Sequence, residues 1–186
     1  MTTSVSEVAG SYAVVADGFE ARLRGVGSGL WGSPSPCAGW TAADVVDHVI
    51  MTHRRVLGSL RGTDAEPLSD TDDRLACWEA ARREVEAALA DPAQASAVVG
   101  GMFGEQPFES LVGRLVCADT LFHTWDLARA TGQDDRLDPA AVERATAFLA
   151  PIDEAIRRPG GFGPRIEPPA DADGQTRLLN FGGRAV

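Results

Sequence analysis

The chain contains no lysine: all seventeen of its basic residues are arginine. Without a lysine amine there is no Schiff base, which excludes pyridoxal phosphate and lysine-aldolase chemistry. The same absence excludes nucleotide binding through a GxxxxGK[ST] loop. Cysteine is scarce as well. Cys37, Cys77 and Cys117 are widely spaced and odd in number, and with no CxxC among them they do not form a disulfide framework. No apolar run approaches the roughly eighteen residues of a membrane span, and the N-terminus lacks a basic flank ahead of an apolar stretch. The expectation is a cytoplasmic protein with reduced thiols and no membrane partner. No basic cluster offsets the formal net charge of −10, so nucleic acid is not an expected partner. GxSxG and HExxH are missing, and the GxGxxG spacing at 27–32 follows a helical stripe and not a strand, leaving hydrolase and dinucleotide readings without support. No repeat of fixed period is present either.

What is present suits a soluble globular chain. At 186 residues, with 44% hydrophobic and 24% charged residues, it can bury a real core as a single domain over 1–186. The arginine-only, alanine-rich composition reads as genomic base bias. Val5, Val8, Tyr12, Val15, Phe19 and Leu23 recur at three- and four-residue steps, predicting a first helix over about 4–24. The segment GVGSGLWGSPSPCAGW interrupts it as a loop. Thr41, with Asp44 three residues on, predicts a capped start for a second helix over about 42–61. There Val45, Val49, Val56 and Leu60 face inward and His48 lies at the edge of the buried face. His53 falls about 140° away round the helix and points elsewhere. A third helix over about 70–90 carries Leu75, Trp78, Val85 and Leu89, and Asp91-Pro92 stops it. Residues 96–109 read as a Gly-rich loop with room for a short hairpin. A fourth helix over about 109–130 ends at Gly132, and Asp138-Pro139 opens a fifth over about 139–157. The remainder is extended or looped, with one helical turn around 175–180. The fold class is an all-α bundle.

The chemistry centres on RLVCADTLFHTWDLARATG. Asp119 and His123 stand one turn apart on one helix face. With His48 from another helix they make two imidazoles and a carboxylate, a divalent metal site with one open position. Such a pair can equally be a local hydrogen bond, and the spacing leaves both readings open. Asp126, three residues beyond His123, either orients that histidine or pairs with Arg129 at the surface. Cys37 lies near a helix start, where a thiol is activated, but no histidine is close to it in sequence, so a nucleophilic role is not expected. Trp125 is read as packing, and Trp40 as a staple at the start of the second helix.

The phrases SPCAGWTAADVVDHVI, DTLFHTWDLARATGQ and GFGPRIEPPADADGQTRLLNFGGR resemble the mycothiol-dependent maleylpyruvate isomerase metal-binding family, within the DinB-like superfamily. They occur in the same order over nearly the whole chain. The resemblance implies a DinB-like four-helix bundle with an additional C-terminal helix and an irregular C-terminal tail. It implies a metal held by His48, Asp119 and His123. Zinc suits that set, and nickel or iron would also bind. It implies mycothiol or a similar low-molecular-weight thiol as cosubstrate, transferred to a small electrophile or used to isomerise it. Arg54, Arg55 and Arg129 are candidates for holding carboxylates of the thiol or substrate, and a homodimer is compatible. The chain departs at Asp119, where those isomerases carry Glu and many DinB-like proteins His. The alternative is a non-catalytic bundle whose metal site is empty or structural.

Overall fold

In the computed structural model, residues 5–69, 71–100, 104–157 and 161–186 are described, the side chains of residues 5 and 6 excepted. Val5 of the first apolar stripe therefore lies outside the described side chains. Four long helices form the bundle: α1 (Val5–Arg24), α2 (Ala42–Arg61), α3 (Arg74–Ala90) and α6 (Cys117–Thr131). Between α3 and α6 come a one-turn α4 (Pro92–Ala95), paired two-residue strands β1 (Val98–Val99) and β2 (Gln106–Pro107), and α5 (Phe108–Leu111). A π-helical turn over Val112–Val116 then leads into α6.

Connectivity follows from which helices touch. α1 packs against α3 and α6, and α2 packs against the same two, so α1 and α2 occupy one diagonal and α3 and α6 the other. Two of the three links must therefore cross the bundle end, which is why residues 25–41 and 91–107 are long. The α2 cap forms as the sequence predicts. Thr41 Oγ1 accepts from the Asp44 amide at 3.3 Å, and Asp44 Oδ2 accepts from the Thr41 amide at 2.8 Å. Gly62 closes the helix in the left-handed region at φ 68°.

Two apolar clusters meet across α6. The first fills the bundle with Tyr12, Phe19, Val49, Trp78, Leu89 and Leu127. The second joins Phe122 and Trp125 to Val142, Leu149, Ile156 and Leu179. Burial on both sides explains why nearly all of α6 beyond Asp119 is inaccessible, whatever its polarity. The outer layer consists of α7 (Pro139–Leu149), a 3-10 turn (Ala150–Ile152), α8 (Asp153–Ile156) and α9 (Gly174–Phe181).

Three boundaries differ from the sequence expectation. The third helix starts at Arg74, where Asp73 Oδ1 accepts from the amides of Leu75 and Ala76. The fifth helix does not run to 157: Pro151 cannot donate to the ladder, and α7 tightens into a 3-10 turn before α8. The fourth begins one residue early and widens at Val112–Val116, which places an extra residue in the turn just before Asp119.

Candidate metal centre

Asp119 and His123 come from α6, and His48 from α2, packed beside it. The structure brings all three together. Asp119 Oδ1 lies 3.0 Å from His48 Nε2 and 3.6 Å from His123 Nε2. One ligand atom from each residue falls within 4.8 Å of the others. Neighbouring donors of a tetrahedral divalent site are separated by roughly 3.3 Å, which the two distances bracket. The second carboxylate oxygen, Asp119 Oδ2, is buried and has no hydrogen-bond partner. A buried, unpaired carboxylate oxygen is costly unless a cation or proton answers it. Donor chemistry, spacing and the orphaned oxygen all fit a divalent ion. His53, as expected, is elsewhere: it sits in the bundle core, between the rings of Tyr12 and Trp78.

His123 faces two ways. Its Nε2 points to Asp119, while its Nδ1 lies 2.9 Å from Asp126 Oδ2. Donation from Nδ1 to the carboxylate leaves Nε2 with a free lone pair toward His48 and Asp119. Asp126 is fully buried and is held on its other side by Arg184, with Nη2 to Oδ2 at 2.8 Å and Nε to Oδ1 at 3.3 Å. Cys37 Sγ donates to the same Oδ2 at 3.2 Å. The surface alternative for Asp126 does not occur, because Arg129 pairs with Asp135 instead.

Cys37, His123 and Asp126 also lie close enough together to hold an ion. Charge separates the two clusters. The Arg184 guanidinium already neutralises Asp126, so a second cation there would be repelled, whereas among the described residues no arginine is bonded to Asp119. The charge balance favours a cation on the Nε2 side.

Electrostatics follow the same division. Burial pushes the His123 pKa down, but the Asp119 charge and hydrogen bonds to Asp119 and Asp126 outweigh it and hold it well above the ordinary imidazole value. Burial raises the Asp119 pKa, yet the two histidines bring it below the usual carboxylate range. Burial also opposes ionisation of Asp126. Hydrogen bonds from His123 and Arg184 nevertheless take its pKa down to about 2.

The centre opens into a cleft of about 460 Å³ bounded by Trp40, Leu115, Phe122, Phe162 and Arg184. Trp40 is more than a staple. Its ring stacks against His123 at 5.7 Å and tilts over His48 at 5.0 Å. A turn closed by the Trp40 amide on the Cys37 carbonyl puts it there, with Gly39 in the left-handed region at φ 80°. Trp125, by contrast, is core packing at 1% exposure. Arg184 arrives through the glycines before it. A Cβ on Gly182 would come within 2.3 Å of the Phe122 ring, and one on Gly183 within 2.8 Å of the Pro164 carbonyl. Only bare backbone can pass so close and drop the arginine onto Asp126.

The arginines suggested by the sequence do not reach this cleft. Arg54 donates to the Glu66 carbonyl on the other side of α2, Arg55 is exposed, and Arg129 lies over Trp125. The residue that sequence reasoning missed is Arg184; the FGGR run was its only trace. The missed role of Cys37 had no trace, because its partners are 89 and 147 residues away.

Residues 12–128 match the family model described as the mycothiol maleylpyruvate isomerase N-terminal domain. The chain belongs to that family. The match contains His48, Asp119, His123 and Asp126, and family membership brings a mycothiol-related, metal-binding domain of DinB-like helical fold. Arg184 and the outer helices lie beyond the matched span. Two uncharacterised proteins of Mycobacterium tuberculosis, from strains CDC 1551 / Oshkosh and ATCC 25618 / H37Rv, are each 37% identical over 177 residues. The alignment covers 91% of this chain and 93% of each relative. No solved structure matches. Among the described residues, no helix of this family member is long and apolar enough to cross a membrane.

Proposed function

We propose that this protein is a metal-dependent enzyme that activates a low-molecular-weight thiol, mycothiol or a close analogue, for transfer to a small electrophile or for its isomerisation. The observation that carries the reading is His123, whose Nδ1 is fixed by Asp126 while Nε2 converges with His48 and Asp119 at the floor of a cleft. His48, Asp119 and His123 hold the ion, and zinc suits two imidazoles and one carboxylate. Bound there, a divalent cation beside a single carboxylate favours an anionic sulfur over a neutral thiol and so supplies the nucleophile at neutral pH.

The chain's own residues do the rest. Asp126 keeps the His123 proton on Nδ1, and Arg184 keeps Asp126 ionised and immobile. Asp119 Oδ1 and Oδ2 bring the negative charge that offsets one of the ion's two. Trp40 covers both imidazoles and limits the approach of water. The whole of 1–186 acts as one domain, since α6 lies in both apolar clusters and the tail supplies Arg184. A cytoplasm rich in the reduced thiol is the setting this chemistry needs.

Cobalt-substituted protein tests the reading. Adding mycothiol or a simple analogue should produce a sulfur-to-metal charge-transfer band. If no thiol perturbs the metal spectrum at millimolar concentration, the enzyme reading gives way to a non-catalytic metal-binding bundle.

A further inference from the structure

We propose that Thr52 is a positioning residue of the metal centre: once an ion is bound, its hydroxyl donates to Asp119 and holds that carboxylate to coordination through one oxygen. The inference rests on His48, Asp119 and His123 holding the ion, and is independent of the thiol chemistry.

Thr52 lies one turn beyond His48 on α2, so the two side chains share a face. Inside a helix, a threonine hydroxyl commonly turns back onto the carbonyl four residues earlier. Thr124, Thr131 and Thr146 do so, at 2.7, 2.7 and 2.8 Å. Thr52 does not. Among the described residues its Oγ1 meets no backbone acceptor and lies instead 3.5 Å from His48 Nε2. That distance is at the long end of hydrogen bonding, so the contact is weak and readily given up. The hydroxyl is free of the helix and turned toward the centre.

Its partner follows from what an ion leaves unmet. Without one, His48 Nε2 lies 3.0 Å from Asp119 Oδ1 as well as near Thr52. An ion bonded to Nε2 uses that nitrogen's lone pair and leaves it no proton, so Thr52 can neither donate to it nor accept from it. The ion also answers Asp119 Oδ1, while Oδ2 is buried and, among the described residues, unpartnered. A hydroxyl without an acceptor and a carboxylate oxygen without a donor then remain in one cluster, and a bond between them removes the cost of both. Thr120, another unpartnered hydroxyl, is the residue after Asp119 and leaves α6 about 100° away round the helix. With Oδ2 held by Thr52, Asp119 fills one coordination position instead of two, which keeps the fourth open to the cleft.

The test separates the hydroxyl from the shape of the side chain. Zinc affinity of the full chain is read by competition with a chromophoric chelator. Thr52→Val keeps the shape and loses the hydroxyl; it should bind zinc about tenfold more weakly than the parent. Thr52→Ser keeps the hydroxyl and loses the methyl; it should stay within about twofold, as should Thr120→Val. A Thr52→Val protein with the parent's affinity overturns the proposal. So does a Thr52→Ser protein as weak as Thr52→Val, which would make the methyl the part that matters. An equal loss in Thr120→Val overturns it too. NMR names the partner: in zinc-loaded protein the carbon shift of the Asp119 carboxyl should move in Thr52→Val and return in Thr52→Ser, and a shift that ignores both variants is a further refutation. In the zinc-loaded parent, with no variant needed, the Thr52 hydroxyl proton should be protected from exchange with water, and free exchange counts against the bond. A parent that binds no zinc ends the metal reading and this inference together. A parent that binds zinc beside an unaltered Thr52→Val ends this inference alone.

Discussion

His53 and His123 are both buried, at 0% and 6% exposure, yet their chemistry runs in opposite directions. His53 donates from Nδ1 to the Val49 carbonyl at 2.8 Å and is otherwise surrounded by Tyr12, Trp78 and aliphatic side chains, with Nε2 unpartnered. Burial takes its pKa down to about 4, against weaker opposition from the Val49 bond and distant Asp119. His123 suffers the same burial but touches two carboxylates, and its pKa moves up. The lesson is that burial sets the stakes and the partners decide the sign. A buried imidazole with one carbonyl is kept neutral; a buried imidazole between two carboxylates favours its charged form, and a cation binding at Nε2 must displace that proton.

The largest way to break this contrast is to remove the ring between the two carboxylates. His123→Ala should abolish stoichiometric metal binding, measured by elemental analysis, while circular dichroism still shows a helical protein. Stability resides in the two apolar clusters, not in this pair. Loss of the helical signal at room temperature would make His123 a structural element.

Removing the arginine that answers Asp126 comes next. Arg184→Gln strands a fully buried carboxylate, so a denaturant melt at neutral pH should show a loss of about 3 kcal/mol. A melt like that of the parent would mean that Asp126 does not depend on the tail.

The neutral histidine makes its own prediction. Its folded-state pKa, about 4, lies below the unfolded value of 6.5, so the unfolded chain binds the extra proton between them. The contribution is therefore whole above pH 6.5 and is lost as pH falls toward 4, by about 3 kcal/mol in total. His53→Gln should flatten the fall in stability over that window relative to the parent. An unchanged slope between pH 6.5 and 4 would leave the contrast without its energetic basis.

The smallest effect sharpens the comparison at the second carboxylate. Asp126→Asn keeps the shape but weakens the hold on Nδ1, and metal affinity should fall by about 10- to 100-fold. Competition with a chromophoric chelator reads this directly. An affinity within twofold of the parent would show that Asp119 alone orients the ring.

Much of this architecture was legible before any coordinates. Three- and four-residue apolar steps located α1, α2, α3 and α6, because a helix must present one stripe to a core. Thr41 with Asp44, Asp138 with Pro139, and Gly132 marked ends, because capping is chemistry within a few residues. Asp119 and His123 were visible as a pair for the same local reason. The break at Pro151 was readable and went unread; the π turn at Val112–Val116 left no comparable mark.

Local spacing thus determined by itself the helices, their caps, the i, i+4 carboxylate–histidine pair and the exclusion of lysine chemistry. Tertiary structure decided which atoms meet: His48 across 71 residues on Asp119, Arg184 across 58 on Asp126, Cys37 across 89 on the same oxygen, and Trp40 over both imidazoles. The reason is physical. Helix periodicity and capping are set within one or two turns of chain, whereas the tautomer of His123, the neutrality of the Arg184 pair and the walls of the cleft depend on packing between segments whose separation in sequence carries no record of their distance in space.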